Sequence, residues 1–262
     1  ILRCLVGSEM CIRDRASKVD VVIHNFRPGT MESLNLGCDA LRTINPRLIY
    51  MAISGFGTEG PLRRAPAYDP IIQAHSGMAA TQGGDDSPAF IRSLLCDKIT
   101  AYTACQAVTS ALFARERSGE GQLIDLSMLD SGLFFMFPDG FQNHALLDED
   151  AIPGGMLIDI LYDLTLTKDG GITVAAANQE MQGRMLKAIG LLHLMGDERF
   201  STMQKLVENL HIFRGLVAEK CLEYTSDELL TLLREAEVPC AKCLNRDEVL
   251  AQEQLSANDS IA

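Results

Sequence analysis

Residues 19–29 read Val-Asp-Val-Val-Ile-His-Asn-Phe-Arg-Pro-Gly. The run over 19–24 is short, apolar and bounded by polar residues. It stops at a turn built by Pro28 and Gly29. That is the pattern of a strand buried in a parallel sheet. Helical pattern follows over 31–36 and again over 39–44, where Asp39 is placed to cap a helix. A second apolar strand spans 47–54, and Gly55, Gly57, Gly60 and Pro61 make the loop after it. Strand, loop, helix, strand is the repeat of a parallel α/β sheet.

Outward from this unit, 69–77 reads as helix and 83–88 as a turn. A long helix rich in Ala, Thr and Leu spans 98–117 and closes at Ser118-Gly119. Its small-residue face suggests burial against another helix or subunit. A strand over 122–127 leads to helical pattern at 129–135, then loop over 138–156. The character then changes. Strands are expected over 157–166 and 172–177, joined by the hairpin turn Lys168-Asp169-Gly170-Gly171. Helices follow over 180–189, over 202–224 as one helix or a broken pair, and over 227–236, the last capped by Thr225 and Ser226, and a short strand spans 238–244. The expected division is an α/β domain over 16–150 and a smaller α+β domain over 151–262.

Residues 1–15, ILRCLVGSEMCIRDR, have neither a helical nor a strand period. Arg3 breaks their apolar run too early for a signal peptide. They resemble a tract that arises at the edge of gene models when sequencing-adapter DNA is translated, and they are set aside. The expectation is that a native N-terminal segment is missing. The C-terminus, which stops without a cap or closing strand, is expected to be truncated too.

The chain has 262 residues, 47% of them hydrophobic, enough for a substantial core. Its net charge of -12 disfavours non-specific binding to nucleic acid or anionic membrane. No stretch approaches the ~20 apolar residues of a membrane helix. The 8 cysteines are scattered, the pattern of reduced thiols in a cytoplasmic protein. Cys240 and Cys243 form a CxxC that follows Val-Pro and lacks a second pair or a nearby His. They read as two small buried residues in a strand or turn.

No GxGxxG follows the first strand, and no Walker loop, GxSxG or HExxH occurs. The histidines lack metal-like spacing, so no metal site is expected. Three features carry chemistry. The first is Asn25-Phe26-Arg27, just past the end of a strand, where open α/β sheets bind ligands. Arg27 suits a phosphate and Phe26 a flat ring, though a solvated turn would look the same. The second is Asp69, after Tyr68 and a loop bearing Arg63 and Arg64; it reads equally as a helix cap. The third is Asp97, directly before the long helix. There helix N–H groups and the dipole favour the ionised carboxylate. It too reads as a cap, or as a covalent nucleophile.

Taken together, VDVVIHNFRPGTMESLNLG, INPRLIYMAISGFGTEGP, PAYDPIIQAHSGM, LLCDKITAYTACQAVTSALFARERSGEGQLIDLSMLD and TKDGGITVAAANQ resemble the family III CoA-transferases. This is the group of formyl-CoA transferase, the carnitine CoA-transferases and α-methylacyl-CoA racemase. The resemblance covers about residues 19–255, in order and with matching spacing. It implies a Rossmann-like large domain with a parallel sheet, a smaller α+β domain, and two chains interlocked as a homodimer. It implies that Asp97 is the catalytic aspartate and that Asn25, Phe26 and Arg27 form a CoA-contacting turn. Tyr68 and Asp69 would make a second contact on the CoA side. Pro153-Gly154-Gly155 loosely resembles the family's glycine loop. Against that resemblance, the family's opening strand and helix and its last segment are expected to be missing, and Ser33 stands where some members carry a basic residue.

The implied activity moves CoA from an acyl-CoA donor to a carboxylic acid through an aspartyl anhydride and an aspartyl-CoA thioester. CoA is then a substrate, and no tightly bound cofactor is expected. One alternative is an α-methylacyl-CoA racemase. Members of that type carry a His where Tyr68 stands, and a phenol with pKa ~10 is a poor base near neutrality. The other alternative is an inactive fragment or acyl-CoA-binding module.

Overall fold

The computed structural model describes residues 5–145, 163–176 and 178–261. They belong to two compact units, dividing between Ile152 and Pro153. The first unit runs α1 (Leu5–Ala16), β1 (Val21–His24), α2 (Thr30–Ser33), α3 (Cys38–Ile44) and β2 (Ile49–Ser54). It continues with α4 (Asp69–His75), α5 (Met78–Gly83), α6 (Leu95–Ser118), β3 (Leu123–Ser127) and α7 (Met128–Gly140). The strands lie in the order β1-β2-β3, all parallel, with Val21 opposite Ile49 and Met51 opposite Ile124.

The centre of this sheet is β2, where Ile49, Tyr50 and Met51 are fully buried. The strand β1 has one neighbour among the described residues. Its Ile23 is 57% exposed, so the run expected to be buried is only partly covered. One apolar cluster joins Met31, Leu36, Leu41, Leu48 and Tyr50; a second joins Ile72, Met78, Cys96, Ile99 and Met136. In the first, the Tyr50 hydroxyl donates to the buried Leu36 carbonyl at 3.0 Å.

Residues 5–15 of the tract set aside at the N-terminus fold as part of α1. Its last residue, Ala16, belongs to the first cluster, and the Asn45 amide donates to the carbonyls of Ala16 and Val19. Arg13 donates to the Asn35 carbonyl. Asp39 is the second residue of α3 rather than its cap, which is Gly37.

The far end of α6 is bolted to the sheet. Arg115 is 8% exposed. It donates to the Arg47 carbonyl and pairs with Asp20 at 2.9 Å, just before β1. Glu116 pairs with Arg47. A Cβ at Gly121 would collide with the Leu48 carbonyl oxygen, so only glycine lets the chain re-enter the sheet here. The Arg-Glu-Arg-Ser-Gly segment is thus a clamp between α6 and the strand ends.

The second unit has β4 (Asp163–Leu166), β5 (Gly171–Val174), α8 (Gln179–Ala188), α9 (Met203–Glu208) and α10 (Leu210–Cys221). It ends with α11 (Ser226–Glu235), β6 (Cys240–Lys242), α12 (Arg246–Leu250) and α13 (Glu253–Ala257). Its sheet is antiparallel, ordered β4-β5-β6. The Lys168–Gly171 turn closes with a Thr167 N–H to Gly170 carbonyl bond at 3.0 Å. Thr225 and Glu228 cap α11 reciprocally. Leu229, Leu230 and Leu233 from α11 meet Ile172, Leu186 and Ile189 in the core. Of the two expected forms of the segment 202–224, the broken pair is present, as α9 and α10 divided at Asn209. Cys240 is half-buried in β6, but Cys243 lies beyond the strand and is exposed rather than buried as expected. Among the described residues no cluster of His, Cys, Asp and Glu is arranged to hold a metal. No described helix is long and apolar enough to cross a membrane.

Candidate active site

The carboxyl ends of β1 and β2 open on a cleft of about 560 Å³. Ligands of open α/β sheets bind at this end of the strands. One wall is the turn after β1, with Asn25, Phe26, Arg27 and Pro28. Another is the connection from β2 to α4, with Gly55, Arg63 and Tyr68; Asp97 and Thr100 come from the start of α6. A Cβ at Gly55 would collide with the Ala67 side chain, so glycine is what allows this connection to cross so near β2.

The turn after β1 is braced by its own strand. The Phe26 N–H donates to His24 Nδ1 at 3.3 Å, and the two rings stack with centroids 6.0 Å apart. The His24 ring meets Tyr50 edge-on at 5.3 Å. Burial pushes the His24 pKa below its ordinary value, against the opposing charge of Glu32. A neutral ring accepting at Nδ1 carries its proton on Nε2.

Asp97 is the third residue of α6, not its cap. The helix starts after Leu94, whose side chain makes no capping bond. The Asp97 N–H instead donates to Asp69 Oδ2 at 3.1 Å. The other Asp69 oxygen accepts from Gln73 Nε2 at 2.5 Å. The next residue, Lys98, donates its Nζ to Ser93 Oγ at 2.8 Å. Partial burial, then the Asp69 charge, push the Asp97 pKa up. This is opposite in direction to the expected stabilisation by the helix end. Burial pushes the neighbouring Cys96 thiol up to about 11, so it stays protonated beside the carboxylate.

The cleft brings together Asn25, Phe26, Arg27, Tyr68 and Asp97 from three separate segments of the chain. It does not include Asp69, which is 2% exposed behind the wall with both carboxylate oxygens hydrogen-bonded. A side chain so enclosed cannot reach a ligand in the cleft without moving. Sequence reasoning missed Gln73, whose one signal is its spacing of four from Asp69 on an otherwise largely apolar helix. The Pro153-Gly154-Gly155 segment lies outside the described residues. The assembled site offers two guanidinium groups for anions, two exposed aromatic faces, and one carboxylate whose basicity is raised.

The sequence model of CoA-transferase family III matches residues 10–262, and the chain belongs to that family. The chain is 33% identical over 249 residues to the succinyl-CoA–D-citramalate CoA-transferase of Chloroflexus aurantiacus, covering 93% of this chain and 61% of that one. It is 30% identical over 267 residues to the acetyl-CoA:oxalate CoA-transferase of Acetobacter aceti, covering 97% and 66%. An acyl-CoA transferase of Fusarium pseudograminearum is 32% identical over 252 residues, covering 95% and 55%. The chain thus spans between about half and two thirds of these relatives. Its fold superposes on a solved CaiB/BaiF family protein from Brucella suis with a TM-score of 0.81 at 29% identity, covering 95% of this chain and 66% of that one.

Proposed function

We propose that this protein moves CoA from an acyl-CoA to a carboxylic acid, with Asp97 as the covalent nucleophile. The observation that carries the reading is the cleft at the strand ends, where Asp97 shares walls with Asn25, Phe26, Arg27 and Tyr68. Arg27 and Arg63 suit the phosphates of CoA, and Phe26 suits stacking on its adenine. An Asp97 oxygen attacks the thioester carbonyl, the C–S bond breaks, and CoA thiolate leaves an acyl-aspartyl anhydride. The thiolate then attacks the Asp97 carbonyl and releases the donor acid, leaving an aspartyl-CoA thioester. The acceptor carboxylate attacks that thioester and expels the thiolate again. The thiolate returns to the acceptor carbonyl, which frees Asp97 and the new acyl-CoA. Each step exchanges one acyl bond for another of similar reactivity, which is the gain of covalent catalysis. CoA enters as substrate, and the scheme calls for no resident cofactor.

The working form is a homodimer in the cytoplasm. Support for the dimer comes from α6 and α7, which expose Tyr102, Phe113, Phe134, Phe135 and Phe137 by half or more of their surface. The test of the activity is a mass-spectrometric screen of succinyl-CoA and acetyl-CoA against dicarboxylic and monocarboxylic acceptors. A new acyl-CoA made in proportion to loss of the donor supports transfer. Conversion of one α-methyl epimer into the other, with no acceptor used, contradicts it.

A further inference from the structure

Behind the cleft wall, Asp69 and Gln73 form a polar pair on α4, each 2% exposed. Gln73 Nε2 donates to Asp69 Oδ1 and to the carbonyls of Ile91 and Ser93 at 3.2 and 3.1 Å. Its Oε1 accepts the Ile91 N–H at 3.0 Å. Gln73 therefore staples the strap that feeds α6, and these bonds fix which end of its amide faces Asp69. At the start of α6 the third N–H of the helix needs an acceptor that Leu94 does not have. Asp69 Oδ2 supplies it across 28 residues of sequence.

We propose that Asp69 is a positioning residue for Asp97: it caps α6 from the neighbouring helix and fixes the nucleophile against the strap, and it does not contact CoA. The inference rests on the reading of Asp97 as nucleophile. Only a carboxylate can accept from both the Gln73 amide and the Asp97 N–H. In Asp69→Asn the new NH2 faces one of those two donors, and Gln73 cannot turn without losing its bonds to Ile91 and Ser93. The charge acts as well. The groups around Asp97 are Asp69 and Cys96 beneath it, Lys98 held by Ser93, and Arg27, Arg63 and Tyr68 across the cleft. Among these Asp69 is the charge that raises Asp97, so Asp69→Asn moves the acid limb of the rate profile to lower pH.

The experiment measures kcat, KM and the pH profile of Asp69→Asn with its best donor and acceptor, and amide exchange at Asp97 in the wild-type protein. The expected result is a kcat loss on the order of 10²-fold from misplacement of the nucleophile. KM for acyl-CoA stays within about twofold, the acid limb shifts down, and the wild-type Asp97 amide exchanges slowly. A raised KM with unchanged kcat and acid limb overturns the proposal in favour of CoA contact. Fast exchange of the wild-type Asp97 amide overturns it without any variant, and decides the matter if Asp69→Asn does not fold. These failures are separable from failure of the transfer reading. An acyl adduct on wild-type Asp97 with unaltered Asp69→Asn kinetics overturns only the positioning role, whereas absence of that adduct overturns the nucleophile itself.

Discussion

The carboxylate of Asp97 is held where it is less comfortable than in the unfolded chain. Burial and Asp69 raise its pKa above the ordinary 3.8, so the folded protein binds a proton there more readily than the unfolded one does. The ionised group therefore costs stability. That cost is full above the folded pKa and vanishes as pH falls below 3.8. Asp97→Asn is expected to melt at or above the wild-type temperature at pH 7, with the advantage shrinking toward pH 4. Transfer is expected to fall by on the order of 10³-fold or more, as when other covalent nucleophiles are removed. Calorimetry at the two pH values, beside the turnover assay, checks both. His24 works with the opposite sign. Its pKa is lowered, so its neutral form is the one the fold favours. That stabilising contribution is complete above the ordinary 6.5 and is lost as pH falls through the folded pKa. Protonation at Nδ1 also removes the acceptor of the Phe26 N–H. Acidification below about 6.5 is expected to weaken acyl-CoA binding, and His24→Gln is expected to flatten that dependence in a titration of KM against pH. The cleft residues could be read from sequence because they sit at strand ends and helix starts, where backbone geometry exposes them. The inward turn of Asp69 could not, because it depends on a contact between two helices far apart in sequence.

Between elements, α6 is the beam that carries the site. Its start is tied by Asp69, and its end by Arg115 and Glu116. Arg115→Met keeps the stem packed but leaves the Arg47 carbonyl and Asp20 without their donor. The expected loss is about 1.5–3 kcal/mol, the range for hydrogen bonds to charged groups, read as a lower urea midpoint at unchanged slope. Little change in midpoint would show that the clamp is not what holds the helix end. The strands and α6 were readable because their apolar runs and caps are local signals. Two elements, and the end of a third, were not. The apolar residues of α1 fall on no single face, so a period search cannot see it. The six residues of α5 are too few to show a period. The helix expected over 129–135 is present as α7, but it runs on through Pro138, where a sequence reading stops it. Met136 before it and Phe141 after it join the cluster around Ile72, and that packing outweighs the bond that proline removes.

The whole molecule is proposed to act as a homodimer, and its exposed aromatic side chains on α6 and α7 are the surface that predicts one. If the two chains interlock, folding and association are one event, and melting should depend on protein concentration. Light scattering across a dilution series is expected to find no folded monomer; a stable, active monomer would contradict the assembly. Family membership and the two-unit fold follow from motifs spread over most of the chain. The donor and acceptor acids do not, because small changes in cleft shape select among them without altering any motif. In the proposed function, acyl transfer passes through one carboxylate. The direct measurement is to incubate the protein with acyl-CoA, trap the intermediate with hydroxylamine or borohydride, and map the modified peptide by mass spectrometry. Modification is expected at Asp97 in the wild-type protein and none in Asp97→Asn. An adduct at Asp125 or Asp130, or an Asp97→Asn protein with full activity, would contradict it.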